Sequence, residues 1–158
     1  MRKPRAIVCD DEELILELFR SILEMMGYEV LTAATPMTCP FYREHADSCP
    51  QHNRCADILI TDHNMPVMTG LELLEIQHQK GCKLISRNKA LITGIGDPTL
   101  RAKAELIGCQ FITKPVSAST LIAWIRECEK RIDLSEPLAT DLYLPATKKL
   151  VSVESSGS

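Results

Sequence analysis

The sequence predicts an α/β fold, a doubly wound five-stranded parallel sheet with helices on both faces. Three observations carry that prediction. Short β-type apolar runs alternate five times with longer segments of helical periodicity. The run over 57–61, Asp-Ile-Leu-Ile-Thr, is apolar on both faces of its centre, as a strand covered from both sides must be. The polar residues gather at one end of the strand segments: Asp10 and Asp11 after the first, Asp62 after the third, Thr93 at the fourth, Lys114 after the fifth. In an open parallel sheet, that end is where functional groups collect.

The elements follow in order. Residues 5–9 form the first strand. Leu14, Leu18, Ile22 and Met26 then recur every four residues, with Phe19 and Leu23 beside them, predicting a helix that buries this stripe. Gly27 stands where a left-handed cap closes such a helix. Residues 28–32 and 57–61 are the second and third strands, and 70–79 reads as a helix. Residues 90–93 are the fourth strand. Asp97-Pro98 is a helix start, an N-cap followed by proline at the first helical position. Leu100, Ala104 and Ile107 give that helix its stripe, and Gly108 ends it. Residues 110–113 are the fifth strand. Ser117 caps a last helix whose buried stripe is Leu121, Ile125, Cys128 and Ile132, with Trp124 nearby. The domain runs over 1–133. Beyond it the periodicity fades, and 134–158, with Pro137, Pro145 and a Ser-Ser-Gly-Ser end, is expected to be flexible or loosely appended.

Composition narrows the function classes. The chain has 158 residues, 45% of them hydrophobic, and a formal net charge of −3. That charge offers no electrostatic case for nucleic-acid binding. No apolar run approaches the roughly 20 residues of a membrane helix, and carboxylates follow the first apolar run at once, against a signal peptide. A cytoplasmic location is expected. Of 7 cysteines, Cys9, Cys82, Cys109 and Cys128 read as buried thiols in a reducing compartment.

The strand-end residues share one chemistry. Carboxylates crowded into one pocket repel and raise one another's pKa, and a divalent cation relieves that repulsion. Hard oxygen ligands suit Mg²⁺, with Mn²⁺ as a substitute. A carboxylate serves as a nucleophile towards phosphorus, and a hydroxyl and an ammonium on neighbouring strand ends hold phosphoryl oxygens. Taken singly, each residue has an ordinary role, such as Asp-Asp as a dipole-favoured helix start. Their joint placement points to phosphorylation of an aspartate.

The strings Val8-Cys9-Asp10-Asp11-Glu12, Thr61-Asp62-His63-Asn64-Met65-Pro66-Val67-Met68-Thr69-Gly70, Leu91-Ile92-Thr93-Gly94 and Phe111-Ile112-Thr113-Lys114-Pro115 stand in order. With them the chain, over about residues 4–133, resembles the receiver domains of bacterial two-component response regulators, which have a flavodoxin-like fold. The resemblance implies that Asp62 is the phosphoacceptor. It implies that Asp11, Asp62 and the Asn64 backbone carbonyl ligate Mg²⁺, with Asp10 acting through water. Lys114 would pair with the acceptor and then the phosphoryl group, Thr93 would swing towards it, and Phe111 would turn inward behind. A cis Lys114–Pro115 bond is implied as well. The implied partners are a sensor histidine kinase or histidine phosphotransfer protein and a downstream protein target. Neither nucleic acid nor membrane is implied as a partner, and self-association stays open. About 25 residues follow Asp133, too few for a DNA-binding module, so a stand-alone, chemotaxis-type receiver is expected. Such a protein is a switch, not an enzyme on other substrates.

Four departures from the family pattern stand out. Gly94 replaces a usual alanine. The stretch Gly108 to Phe111 is one residue shorter than usual. Ile95 cannot orient an attacking water, which predicts a long-lived phosphoryl group. Between the second and third strands, an irregular insertion at about 36–55 carries Cys39, His45, Cys49, His52 and Cys55. These side chains leave three readings open: ordinary thiols, a disulfide such as Cys49 with Cys55 or Cys39, or a second metal site. Two rival functions accompany the leading one. A dehalogenase-like phosphatase needs a second acid where Asn64 stands. A metal- or thiol-redox sensor on the same scaffold would depend on the cysteines instead of Asp62.

Overall fold

A computed structural model of the chain describes residues 1–34, 47–94, 96–144 and 149–152. The elements are β1 (Arg5–Cys9), α1 (Glu13–Met25), β2 (Glu29–Ala33), β3 (Ile58–Asp62), α2 (Gly70–Gln79), β4 (Lys89–Thr93), α3 (Pro98–Leu106), β5 (Gln110–Thr113), α4 (Ala118–Glu129), β6 (Asp141–Leu144) and β7 (Lys149–Ser152). The first five strands form one parallel sheet in the order β2-β1-β3-β4-β5. Every residue of β1, β3 and β4 is buried, whereas the edge strands β2 and β5 include partly or fully exposed positions.

Period-two alternation divides the core into two layers. Ala6, Val8, Ile58 and Ile60 face α1 and α4, meeting Phe19, Leu23, Leu121 and Ile125. Ile7, Cys9, Leu59 and Leu91 point the other way, towards Leu71 and Leu74 of α2 and Leu100 and Ala104 of α3. The predicted helix ends hold. Asp97 accepts from the Thr99 amide at 2.9 Å and Ser117 from the Thr120 amide at 3.1 Å. Gly27 and Gly108 close their helices at φ of 91° and 85°.

The stripe predicted for α1 is rotated. Leu14 is 85% and Leu18 49% exposed, while Leu16, Phe19 and Leu23 are the buried residues. The helix is apolar around much of its circumference, so periodicity alone did not select the packed face; the sheet did.

Part of the segment expected to be flexible or loosely appended packs against the domain. Leu138, Ala139 and Leu142 are buried, and β6 pairs antiparallel with β7. The cause lies at the end of the sheet where the strands begin. Arg2 grips Asp57 with two hydrogen bonds, of 2.6 and 2.8 Å, and donates through Nε to the Glu136 carbonyl. Arg5, wholly buried, pairs with Glu29 and donates to the Cys55 and Ala139 carbonyls. Arg54 pairs with Glu136 at 3.0 Å, and its carbonyl accepts from the Ala139 amide. Buried guanidinium groups require such partners, and the tail supplies several of them. No described helix is long and apolar enough to cross a membrane.

Candidate functional site

The register of the sheet sets the tips level. Cys9 pairs with Thr61, Asp62 with Ile92, and Thr93 with Thr113, so Asp10, Asp62, Thr93 and Lys114 emerge side by side. Asp10 is anchored twice: its amide donates to the Ala33 carbonyl at 3.0 Å, and its Oδ1 accepts from the Glu12 amide at 2.9 Å. The Lys114 amide donates to the Thr93 carbonyl at 2.8 Å, and the Lys114–Pro115 bond is cis.

These anchors bring the carboxylates of Asp10, Asp11 and Asp62 together, with ligand oxygens all within 4.8 Å of one another. Asp10 and Asp62 are buried and Asp11 is exposed at the mouth. Lys114 Nζ reaches Asp62 Oδ1 at 3.2 Å and Asp10 Oδ2 at 3.6 Å. Thr93 is fully buried at its strand end. Asn64 is exposed two residues beyond Asp62. Phe111, opposite Leu91 in the sheet, is buried at 4% exposure.

The loop from His63 to Thr69 doubles back through hydrogen bonds from the Met65 and Gly70 amides to the His63 carbonyl. Thr69 and Glu72 then form a capping box at the start of α2. Val67, at the tip of this loop, holds a positive φ of 75°.

The electrostatics follow from burial. Desolvation pushes the Asp10 carboxyl above its usual range, and the Asp62 charge adds to this; the Glu12 amide and Lys114 oppose both. For Lys114, burial alone would lower the pKa. The hydrogen bond to Asp62 and the charges of Asp10 and Asp62 outweigh it, holding the ammonium above its usual value. Three carboxylates against one lysine leave an acidic pocket of hard oxygen donors, and that donor set fits a small divalent cation.

Of the residues expected at the site, Asp10, Asp11, Asp62 and Lys114 lie together, Thr93 ends the neighbouring strand, and Phe111 is buried in the layer facing α2 and α3. The described Cys and His residues of the insertion, Cys49, His52 and Cys55, are not part of that group. Cys49 and Cys55 form no disulfide. Among the described residues, the three aspartates are the only group of three or more His, Cys, Asp or Glu close enough to share a metal ion. Cys39, His45 and Ile95 lie outside the described residues, and with them the long-lifetime expectation.

Two features escaped the sequence. One is Arg101, whose guanidinium lies 4.8 Å from the Phe111 ring centroid; a cation at the first turn of an exposed helix carries no signal of its own. The other is an open, largely apolar groove of about 410 Å³ beside the site, lined by Glu12, Ile15, Leu18, Phe19, Pro115 and Val116 together with Lys114.

Comparisons with known proteins agree with this geometry. Residues 6–126 match the family model of the response regulator receiver domain. The "Probable transcriptional regulator ycf27" of Galdieria sulphuraria is 29% identical over 136 residues, covering 84% of this chain and 48% of that protein. The virulence sensor protein BvgS of Bordetella pertussis is 28% identical over 151 residues, 90% of this chain and 11% of that one. The chain thus spans about half the length of the first relative and about a tenth of the second. Among solved structures, a response regulator receiver domain protein from Clostridium thermocellum superposes with a TM-score of 0.61 at 30% identity, covering 81% of this chain and 95% of that one. The chemotaxis response regulator CheY4 of Vibrio cholerae superposes at 0.58 and 25% identity, covering 80% and 98%. A five-stranded parallel sheet with an acidic, lysine-bearing rim, and a family match across most of its length, place the chain in the response regulator receiver domain family of phosphorylation-accepting switches.

Proposed function

We propose that Asp62 is the phosphoacceptor of this receiver domain. The observation that carries the assignment is the placement of Asp62 between Lys114 Nζ, at 3.2 Å, and the carboxylates of Asp10 and Asp11. An Asp62 oxygen attacks the phosphorus of a phosphorylated histidine; the P–N bond breaks, and the imidazole nitrogen leaves with a proton. Lys114 holds the acceptor and then a phosphoryl oxygen. Asp11, Asp62 and the Asn64 carbonyl would hold Mg²⁺ or Mn²⁺, with Asp10 acting through water, and such a cation would neutralise phosphoryl charge. Thr93 follows the phosphoryl group, and Phe111 moves with it. The site works on its own aspartate alone.

The donor is a sensor histidine kinase or a histidine phosphotransfer protein in the cytoplasm. The groove that shares Lys114 with the site, with exposed Leu18 in its lining, suits an apolar surface of that donor. A downstream protein reads the face of α3, β5 and α4. The test is intact-mass analysis after incubation with acetyl phosphate and Mg²⁺. One phosphoryl group is expected on the wild type and none on Asp62→Ala. Equal labelling of both would remove the assignment.

A further inference from the structure

Phe111 is the residue that the proposed switch must move, and its ring is not enclosed by hydrocarbon alone. The Arg101 guanidinium lies over it, 4.8 Å from the centroid. Phe111 is 4% exposed, whereas the Arg101 side chain is 51% exposed, so the guanidinium that lies over the ring also reaches water. A guanidinium suits that position because it is flat and weakly hydrated, and stacks on the ring while its N–H edge stays solvated. Arg101 also has a second partner, Glu105 one turn on at 3.6 Å. That pair is exposed on both sides and adds little.

The placement matters because of what α3 connects. The helix begins five residues after Thr93, and Asp97 fixes its first turn by accepting from the Thr99 and Arg101 amides. Thr93 and Phe111 are the two residues expected to move together. Arg101 sits on the helix leading from one and touches the ring of the other.

We propose that Arg101 is a positioning residue for the switch: its stacked guanidinium caps the Phe111 ring and raises the population of the ring-inward, phosphoryl-accepting state. This rests on the roles given above to Asp62 and Phe111. An outward turn of the ring forfeits the stacking. Removing the guanidinium therefore taxes every ligand that needs the ring inside, because apparent affinity scales with the population of the competent state.

The experiment is a double-mutant cycle on the affinity for beryllofluoride with Mg²⁺, using the wild type, Arg101→Ala, Phe111→Ala and the double variant. Arg101→Ala is expected to weaken binding about two- to fivefold, which corresponds to roughly 0.5–1 kcal/mol of cation–π attraction. In the Phe111→Ala background the same change is expected to do nothing, and Arg101→Lys is expected to recover part of the loss. The chain holds 3 phenylalanines, so ring-labelled NMR resolves them, and one ring set is expected to shift in Arg101→Ala. An unchanged affinity, or an equal loss with and without Phe111, would overturn the inference while leaving Asp62 as acceptor. A wild type whose beryllofluoride binding does not depend on Asp62 would instead sink the proposed function.

Discussion

Gly70 lies so close beneath Asp62 that a β-carbon on it would overlap the Asp62 carbonyl oxygen and come within 2.8 Å of Leu91 Cδ1. The start of α2 is thereby pressed against the backbone of the acceptor aspartate. Gly70→Ala must push the two apart. Overpacking of this kind costs about 1–3 kcal/mol, and here the displaced group is Asp62 itself. Urea unfolding should show that loss, and beryllofluoride affinity should fall at least tenfold. A variant with wild-type affinity would mean that the close approach is not needed.

Val67 carries a different strain. A β-branched residue at φ 75° is a backbone outlier, and at 82% exposure it gains little from burial. Val67→Gly should stabilise the fold by about 1 kcal/mol, the low end of what such strain stores. A thermal melt should rise by about 2–4 °C for a chain of this size.

The network at the opposite end of the strands separates two kinds of ion pair. Arg2 and Asp57 are almost wholly buried, with side-chain exposures of 4% and 0%, whereas Glu136 is 56% exposed in its pair with Arg54. Arg2→Ala removes the closest partner of a buried carboxylate, which keeps only Arg54 at 3.5 Å and the Arg5 amide, and should cost about 1.5–3 kcal/mol in urea denaturation. Glu136→Ala should cost less than about 1 kcal/mol. Similar costs for both would show that the Arg2–Asp57 pair is open to water.

Asp10 links the pocket to pH. Its pKa is raised in the fold, so the stability it contributes is complete below the ordinary aspartate value of about 3.9 and is lost as pH rises through the raised value. At neutral pH the ionised group is a cost. Asp10→Asn, whose Oδ1 still accepts from the Glu12 amide, should therefore melt higher than the wild type at pH 7 without divalent cations. That advantage should fade towards pH 4, and millimolar Mg²⁺ should shrink it by stabilising only the charged pocket. Lys114 has the reverse charge and a raised pKa, so its contribution persists to about pH 10.4 and fades above that.

The cysteines divide by environment. Burial raises Cys109 and Cys128 to about 11, leaving about one thiolate in a thousand at pH 8. Iodoacetamide at pH 8 should label Cys49, Cys55 and Cys82, which are only partly buried, well before those two. Mass spectrometry of the digested protein reads the order, and early labelling of Cys109 or Cys128 would contradict the packing.

What the sequence determined by itself was the sheet and its working end. Five short apolar runs, four of them ending in polar residues, suffice for a parallel sheet and its working end, because the central strands are buried on both faces and leave only their tips for chemistry. The caps at Asp97, Ser117 and Gly108 were equally legible, being local. Tertiary structure decided everything that depended on which of several equivalent surfaces was covered. Leu14 and Leu16 are alike in type, and only the packing on the sheet exposes one and buries the other. Arg2 reads as a solvated terminal charge until Asp57, 55 positions away, closes on it. How the tail packs was not legible because its partners, Arg2 and Arg5, stand more than 130 residues earlier. Arg101 gains meaning only through the ring it covers. Local periodicity encodes strands and helices, whereas the pairing of distant charges and the rotation of an apolar helix are settled by desolvation when the core closes.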